Sequence, residues 1–388
     1  MRYRIEKDSL GEKQIPAEAY YGIYTLRSKE NFDITKRGLP RQMIKTLALL
    51  KKSAAVTNNS LGLINNEKMK AISLSSDEIL NGRLHGQFIT DLIQGGNGIA
   101  MDMNANEVIA NRANEMMGGK KGVYDYVDPL IDVAKGQNSE DIILSASKLA
   151  CIRQTKKLLV EIKKLSTSIS KKSNTLKDIK VEYTNRFTTN SIYISEKLDS
   201  ISMILDRDYK AITIIMGSMY ELGFENNDPK FSKKMVSNIA KFTGEPFVQA
   251  KSLVDVKHNI DCFSKLSNMI KTLDVNLSKA FDDLIFINNN INKDVCRIII
   301  PSIQSYPTPI YQDYSTFDIL DQVSKMVIGL DSTINMAIDD GLLQENKFRP
   351  LIVASLFDEL NISRRVIRTI REKIIDDFNV EYAGIEAL

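Results

Sequence analysis

The chain of 388 residues carries 52 Lys and Arg against 49 Asp and Glu, so its composition provides no general basic field for nucleic acid. Its three cysteines lie far apart without CxxC or Cys/His ligand spacing, which argues against a disulfide framework or a structural zinc and favours a reducing compartment. The charged N-terminus and the lack of a long apolar run argue against a secretory signal and a membrane span. We therefore expect a cytoplasmic protein that binds neither nucleic acid nor membranes.

Residues 1–135 have the pattern of a small N-terminal domain of short helices and loops. Helical patterns cover about 42–61 and 67–80, and residues 91–119 then read DLIQGGNGIAMDMNANEVIANRANEMMGG. This stretch predicts a glycine-rich loop that leads into a helix with one apolar face and ends at Gly118 and Gly119. Such a loop offers backbone N–H groups at the positive end of a helix, where an anion can bind. A tight turn selected only for packing would have the same pattern.

Long helical patterns dominate residues 136–388. An apolar stripe runs from Ile142 to Ile169, and further helices are predicted at about 191–216, 253–284, 317–340 and 350–377. Helices of this length are typical of a bundle, which we expect other subunits to complete. Residues 298–315, IIIPSIQSYPTPIYQDYS, contain too many prolines for a helix. They predict a loop on a rigid scaffold, either part of a functional site or a plain connector.

Three motifs, in chain order, resemble the aspartase/fumarase superfamily, and its aspartate ammonia-lyases most closely. They are LGEKQIPAEAYYGIYTLRSKENF, DLIQGGNGIAMDMNANEVIANRA and MGSMYELGFENNDPKF. The resemblance extends from about residue 4 to residue 386, and its NANEVIANRA core is highly specific.

The resemblance implies an all-α subunit with the aspartase-like fold. It implies a small N-terminal domain at 1–135 and a central domain of five long helices at 136–388, and we expect the family's small C-terminal domain to be absent. Four subunits would pool their central helices in one bundle, with each active site built from three subunits. The implied reaction is the reversible removal of ammonia from aspartate to give fumarate, without a metal or an organic cofactor.

The proline-rich segment corresponds to a catalytic loop of the family. Abstracting a proton next to a carboxylate builds up negative charge, so the site needs a base and fixed donors. The family loop, Gly-Ser-Ser-x-Met-Pro-x-Lys-x-Asn, supplies a serine base and a lysine for a substrate carboxylate. Aligned on its proline, the resemblance places Ser305 opposite the base, although a small shift would choose Ser302. Tyr311 and Asp313 then stand opposite the lysine and the asparagine, an exchange of charge that would repel a dicarboxylate.

The other substrate-binding segments also depart from the family pattern. Ile99 and Ala100 stand where relatives have a Thr-Ser pair. Asn138-Ser139-Glu140-Asp141 stands where relatives have Ser-Thr-Asn-Asp, so that Glu140 adds a second negative charge. The substrate-binding positions implied by the resemblance are Gly98, Ile99, Asn138, Ser139, Glu140, Thr184, Asn185, Tyr311 and Asp313.

The sequence leaves three functions open. We favour a pseudoenzyme that keeps the scaffold and acts as a structural or regulatory subunit, in a homotetramer or in a mixed tetramer with a paralogous lyase. It could still bind a small dicarboxylate or amino acid. The alternative is an active lyase that releases ammonia or an amine from a changed substrate, with Ser305 as the base; ordinary aspartase activity is the third. In a mixed tetramer each active site would still need a segment from this chain, because every site is built from three subunits. This chain would then have to supply its least changed segment, either Thr184-Asn185 or the Gly95-Gly96 loop.

Overall fold

The computed structural model describes residues 2–292, 295–301, 313–341 and 346–382. The candidate residues Ser302, Ser305 and Tyr311 lie outside the described residues. The chain forms two compact units. The first comprises Met1–Arg153, Ser218–Cys262 and Ile334–Ala354, and the second comprises Gln154–Gly217, Phe263–Thr333 and Ser355–Leu388.

Helices make up most of both units, which confirms the predicted all-α class. In the part of the chain that the structure describes they are α1 (Ile23–Asn31), α2 (Arg41–Ser60), α3 (Asn66–Leu80), α4 (Ile99–Met116), α5 (Ser139–Thr175), α6 (Ile194–Gly217), α7 (Pro229–Thr243), α8 (Leu253–His258), α9 (Asp261–Asn290), α10 (Ser315–Asp339) and α11 (Arg349–Ile370). None of them is long and apolar enough to cross a membrane.

Short strands form two-stranded ladders beside the helices. They are β1 (Tyr3–Asp8), β2 (Gly11–Pro16), β3 (Lys180–Thr184), β4 (Thr189–Tyr193), β5 (Glu221–Leu222), β6 (Val248–Gln249), β7 (Cys296–Ile299) and β8 (Asn379–Tyr382). The pairs β1–β2, β3–β4 and β7–β8 are antiparallel, and β5–β6 is parallel. The periodicity of the sequence did not predict these ladders, because each is only two to six residues long.

The predicted helices are confirmed, with two corrections, of which the first concerns a break in one helix and the second, given below, the start of α6. Residues 253–284 were predicted as one helix, but α8 ends at His258 and α9 begins at Asp261. The backbone of Asn259 leaves the helical region (φ −93°, ψ 84°), and its side-chain amide donates to Asp255 Oδ1. The backbone N–H of Asn259 still donates to the carbonyl oxygen of Asp255 at 2.8 Å, so the helical hydrogen bonds end at this residue. Val256 and Ile260 are both buried on either side of the break, so the apolar spacing continues across it.

In the first unit, α2 packs against α3, α4 and α7, while α1 lies on α4. The start of α1 is capped from α4. Glu107 accepts the backbone N–H groups of Gly22, Tyr24 and Thr25 at 2.9, 3.0 and 3.1 Å. Burial raises the pKa of the Glu107 carboxyl, and these hydrogen bonds oppose the rise. The N-terminal segment is therefore fixed to the helix that carries the NANEVIANRA motif.

The second unit is built on long helices around an apolar core. Fully buried side chains come from α5, α6, α9, α10 and α11, among them Leu165, Ile201, Leu273, Val327 and Ile367. The predicted start of α6 near residue 191 is wrong by a few residues, because Thr189–Tyr193 pairs with Lys180–Thr184 as β4 with β3. Burying one apolar face of each long helix supplies the main stabilisation of such a unit.

Candidate active site

The glycine-rich loop ends in an unusual backbone turn that confirms the predicted loop-to-helix junction. Gly96, Asn97 and Gly98 have φ angles of 64°, 57° and 89°, in the left-handed region that glycine adopts readily and asparagine tolerates. Gly98 is the N-cap of α4. A Cβ atom there would lie 3.1 Å from Met101 Cε and 3.4 Å from Pro350 Cγ. The turn is therefore packed closely against the start of α11.

The first residues of α4 offer no polar side chain to a ligand. Ile99 is half-buried and Ala100 is buried. The N-cap residue Gly98 has no side chain to cap the helix, but Gln94 Oε1 accepts the backbone N–H of Met101 at 2.9 Å. Of the first-turn N–H groups that could hold an anion, that of Met101 is therefore already occupied by the chain's own side chain. The structure thus gives Ile99 an apolar position beside the loop instead of a donor position.

The first turn of α5 lies beside this loop, and its polar side chains have partners within the chain. Asn138 Oδ1 accepts the backbone N–H of Glu140 at 2.9 Å. The hydroxyl of Ser139 donates to Asp102 Oδ2 at 2.8 Å, and the amide of Asn97 donates to Glu140 Oε1 at 2.9 Å. The structure therefore brings together Asn138, Ser139, Glu140 and the loop with Gly98.

Three buried cations pair with acidic side chains around this turn. Lys51 Nζ lies 2.6 Å from Asp102 Oδ1, and Lys257 Nζ lies 2.9 Å from Asp141 Oδ1. Arg349 Nη1 lies 3.6 Å from Glu140 Oε2. The side chains of Lys51, Lys257 and Arg349 are 0%, 4% and 3% exposed. Because charges this deeply buried require opposite charges nearby, the acids and the cations form one balanced arrangement.

The electrostatics of the two lysines differ. Burial lowers the pKa of Lys51, and Asp102 opposes this effect through its charge and hydrogen bond. Burial also acts to lower the pKa of Lys257, but hydrogen bonds to Glu225 and Asp141 outweigh it and raise the pKa. Lys257 has two carboxylate partners, with Glu225 Oε2 at 2.6 Å. It is thus a firmly protonated structural cation.

The remaining candidates lie in the second unit. Thr184 is exposed at the end of β3, with its hydroxyl 3.2 Å from that of Thr189. Asn185 Oδ1 accepts the backbone N–H groups of Phe187 and Thr188, both at 2.9 Å, and so shapes the hairpin turn. Asp313 is buried and accepts the backbone N–H of Ser315 at 3.0 Å just before α10.

Comparison with known proteins identifies the family. A family model described as lyase matches residues 11–300. The chain is 34% identical to aspartate ammonia-lyase of Bacillus subtilis (strain 168), with 99% of this chain and 82% of that protein covered. The chain belongs to the aspartase/fumarase superfamily. Aspartate ammonia-lyase of Helicobacter pylori (strain J99 / ATCC 700824) is 32% identical to this superfamily member, with 96% of this chain and 82% of that protein covered.

Solved structures agree with this assignment. A fumarate lyase:delta crystallin from Brucella melitensis in native form gives a TM-score of 0.91 at 28% identity, with 98% of this chain and 89% of that chain covered. A recombinant class II fumarase from Schistosoma mansoni gives a TM-score of 0.90 at 24% identity, with 97% and 85% covered, and supports the fold alone.

Four residues of this arrangement were not predicted from the sequence of this superfamily member: Lys51, Asp102, Lys257 and Arg349. The burial of Lys51 was visible in the sequence, because Lys51 lies four residues after Leu47 and four before Ala55, on the buried stripe of α2. No local pattern marks Asp102, Lys257 or Arg349, because their charged partners are distant in sequence. Across residues 2–292, 295–301, 313–341 and 346–382, no three His, Cys, Asp or Glu side chains are grouped to hold a metal ion.

Proposed function

We propose that this lyase homologue does not eliminate ammonia from aspartate by itself and serves as a structural or regulatory subunit of a lyase assembly. One observation carries the proposal. In the first turn of α5, the side chains that the family resemblance assigns to substrate binding are already bonded within the chain.

The bonding of these side chains disfavours a dianionic ligand. Ser139 has one hydroxyl hydrogen and donates it to Asp102, and an ionised Glu140 can only accept. A second carboxylate placed 4 Å from Glu140 would be repelled by about 1 kcal/mol in water and about 4 kcal/mol at an effective dielectric constant of 20. Catalysis of this elimination requires hydrogen-bond donors aimed at the negative charge that develops on the substrate. At this position the described part of the site has the carboxylate of Glu140 in place of a donor.

The long helices support a subunit role. Large apolar side chains are exposed on α5, α6 and α10 of the second unit, namely Val160, Met203, Ile214, Ile319 and Met326. Exposed apolar side chains repeated along helices are typical of surfaces that bind other helices. We infer that the chain assembles as a homotetramer, or as a mixed tetramer with a paralogous lyase subunit.

A second candidate function follows from the balance of charge. Arg349 offsets Glu140, so the first turn of α5 does not carry the net negative charge that Glu140 alone would add. A lyase with Ser305 as its base could then act on a less anionic, amine-bearing substrate that Glu140 recognises. Ammonia released from a panel of amino acids with neutral side chains would support this function over the first.

The decisive experiment is an ultraviolet assay of fumarate formation from aspartate. The purified protein is compared with the Bacillus subtilis aspartate ammonia-lyase at equal subunit concentration. We expect a rate at least about 10³-fold lower, the loss that removing one essential transition-state donor can cause. Rates within tenfold of the relative would contradict the proposal. Restored activity on co-expression with an active lyase would support the mixed assembly.

A further inference from the structure

We infer that the Glu140 carboxylate is an internal ligand that occupies a carboxylate-binding site formed by Asn97 and Arg349. The inference rests on the proposed function, because an internal Glu140 carboxylate would explain how this chain blocks the segment that the resemblance assigns to substrate binding. It makes a separate claim as well: without Glu140, the same site binds a small carboxylate from solution.

The contacts of Glu140 resemble those of a bound carboxylate. Its two oxygens face different donors, with Asn97 Nδ2 2.9 Å from Oε1 and Arg349 Nη1 3.6 Å from Oε2. An amide and a guanidinium on different oxygens of one carboxylate provide both charge and direction. Arg349 Nη1 also lies 3.5 Å from the backbone oxygen of Glu140, which keeps the guanidinium near the start of α5 when the carboxylate is removed.

The two donors are held in place by the fold. Asn97 is fixed between two glycines in the left-handed turn, and a Cβ atom at Gly98 would be in van der Waals contact with Pro350, the residue after Arg349. The side chain of Arg349 is 3% exposed, whereas that of Glu140 is 18% exposed. The cation is therefore buried and preorganised, while the anion that covers it can be reached from solvent. Preorganised donors lose little freedom when a ligand binds.

The size of the site defines the ligand class. Replacing Glu140 by alanine removes one methylene and one carboxylate, which together have the size of acetate. The vacated position still faces Asn97 and Arg349, an amide donor and a cation that both suit a carboxylate. Small monocarboxylates should therefore bind first, and a dicarboxylate such as fumarate can place one end there and extend the other toward solvent.

The test measures binding, with no catalytic readout. Wild type, Glu140→Ala, Glu140→Gln and the double variant Glu140→Ala/Arg349→Gln are titrated with sodium acetate and with fumarate by calorimetry and thermal shift. Sodium chloride at matched ionic strength is the control for screening. We expect Glu140→Ala to bind both anions at least about tenfold more tightly than wild type, which is the worth of one hydrogen bond to a charged group. Glu140→Gln should gain less, and the double variant should lose the gain.

Each outcome decides the question. Equal, weak binding by wild type and by folded Glu140→Ala overturns the inference, as does a gain that survives Arg349→Gln. If Glu140→Ala folds only when acetate is present, the inference is supported, and failure to fold with acetate contradicts it. The assay of fumarate formation tests the proposed function separately. If the wild type is inactive and Glu140→Ala binds no acetate, only this inference is refuted. If the wild type is active, the proposed function is refuted.

Discussion

The substitution Asp274→Asn should make the protein less sensitive to pH. Asp274 on α9 is fully buried, and its Oδ2 accepts the hydroxyl of Ser363. Its Oδ1 has no hydrogen-bond partner among the described residues. Burial raises the pKa of Asp274 from 3.8 to about 7, against the effect of the Ser363 hydrogen bond. The folded protein therefore holds a proton on this carboxyl that the unfolded chain releases near pH 4.

The free energy of this effect follows from linkage. A folded-state pKa about three units above the unfolded value corresponds to about 4 kcal/mol. Because the folded pKa is raised, this stabilisation is fully present below about pH 4 and is lost as the pH rises to about 7. Over that interval the free energy of unfolding should fall by about 1.4 kcal/mol per pH unit for this group alone.

Glu359 on α11 adds a second contribution with the same sign. It is fully buried, and its Oε1 accepts the hydroxyl of Ser267 at 2.9 Å. Burial, together with the nearby carboxylates of Asp331 and Asp274, raises its pKa to about 8, while the Ser267 hydrogen bond and Lys271 oppose the rise. The wild-type slope between pH 5 and pH 7 should therefore reflect both groups, and the slope between pH 7 and pH 8 mainly Glu359.

Urea unfolding followed by circular dichroism from pH 5 to pH 8.5, at one protein concentration, provides the measurement. Asp274→Asn keeps an oxygen to accept from Ser363 but cannot ionise, so we expect it to remove about half of the slope between pH 5 and pH 7. The control is Asp199→Asn, which removes a carboxylate from the exposed side of α6. If Asp274→Asn and Asp199→Asn leave the same slope as wild type, the reasoning about burial is wrong.

Three further predictions concern the first unit and the assembly. Lys51→Met should destabilise the fold by about 3–5 kcal/mol because it leaves Asp102 buried and uncompensated, and the double variant Lys51→Met/Asp102→Leu should recover part of the loss in urea unfolding. Gly98→Ala should lower stability by about 1–3 kcal/mol, since the added methyl meets Met101 at a positive φ, whereas the control Gly86→Ala has open space and should change little. In an active mixed tetramer, Thr184→Ala should reduce fumarate formation; an unchanged rate would exclude Thr184 as this chain's contribution.

Much of the fold followed from local sequence signals. The apolar spacing of α2 and α3 predicted both helices to within one residue at each end, because each buries one face of a regular helix. The break between α8 and α9 escaped prediction because Val256 and Ile260 preserve that spacing while Asn259 alone interrupts the backbone. Periodicity reports which side chains are buried, and it is insensitive to a single residue that changes backbone direction.

The candidate site was only half predictable, for a different reason. The resemblance pointed to Ser139 and Glu140, which are close in sequence to a motif. Arg349 is 209 residues from Glu140, and no local pattern marks it as the partner. Ion pairs between distant elements are formed by the tertiary fold, so a sequence reveals the added acid without the cation that balances it.

These cations alter how the changed site should be understood. The sequence alone predicts that Glu140 places an unopposed charge where a dianion should bind. In the structure, each of Asp102, Glu140 and Asp141 faces a buried cation, and removing either partner would leave a charge in a poorly solvated position. The buried cations around the first turn of α5 are consequently neutralised by acidic side chains of the chain itself. Glu140 is the most exposed of the three acids, and so it is the one whose position a carboxylate from solution should take when the side chain is removed.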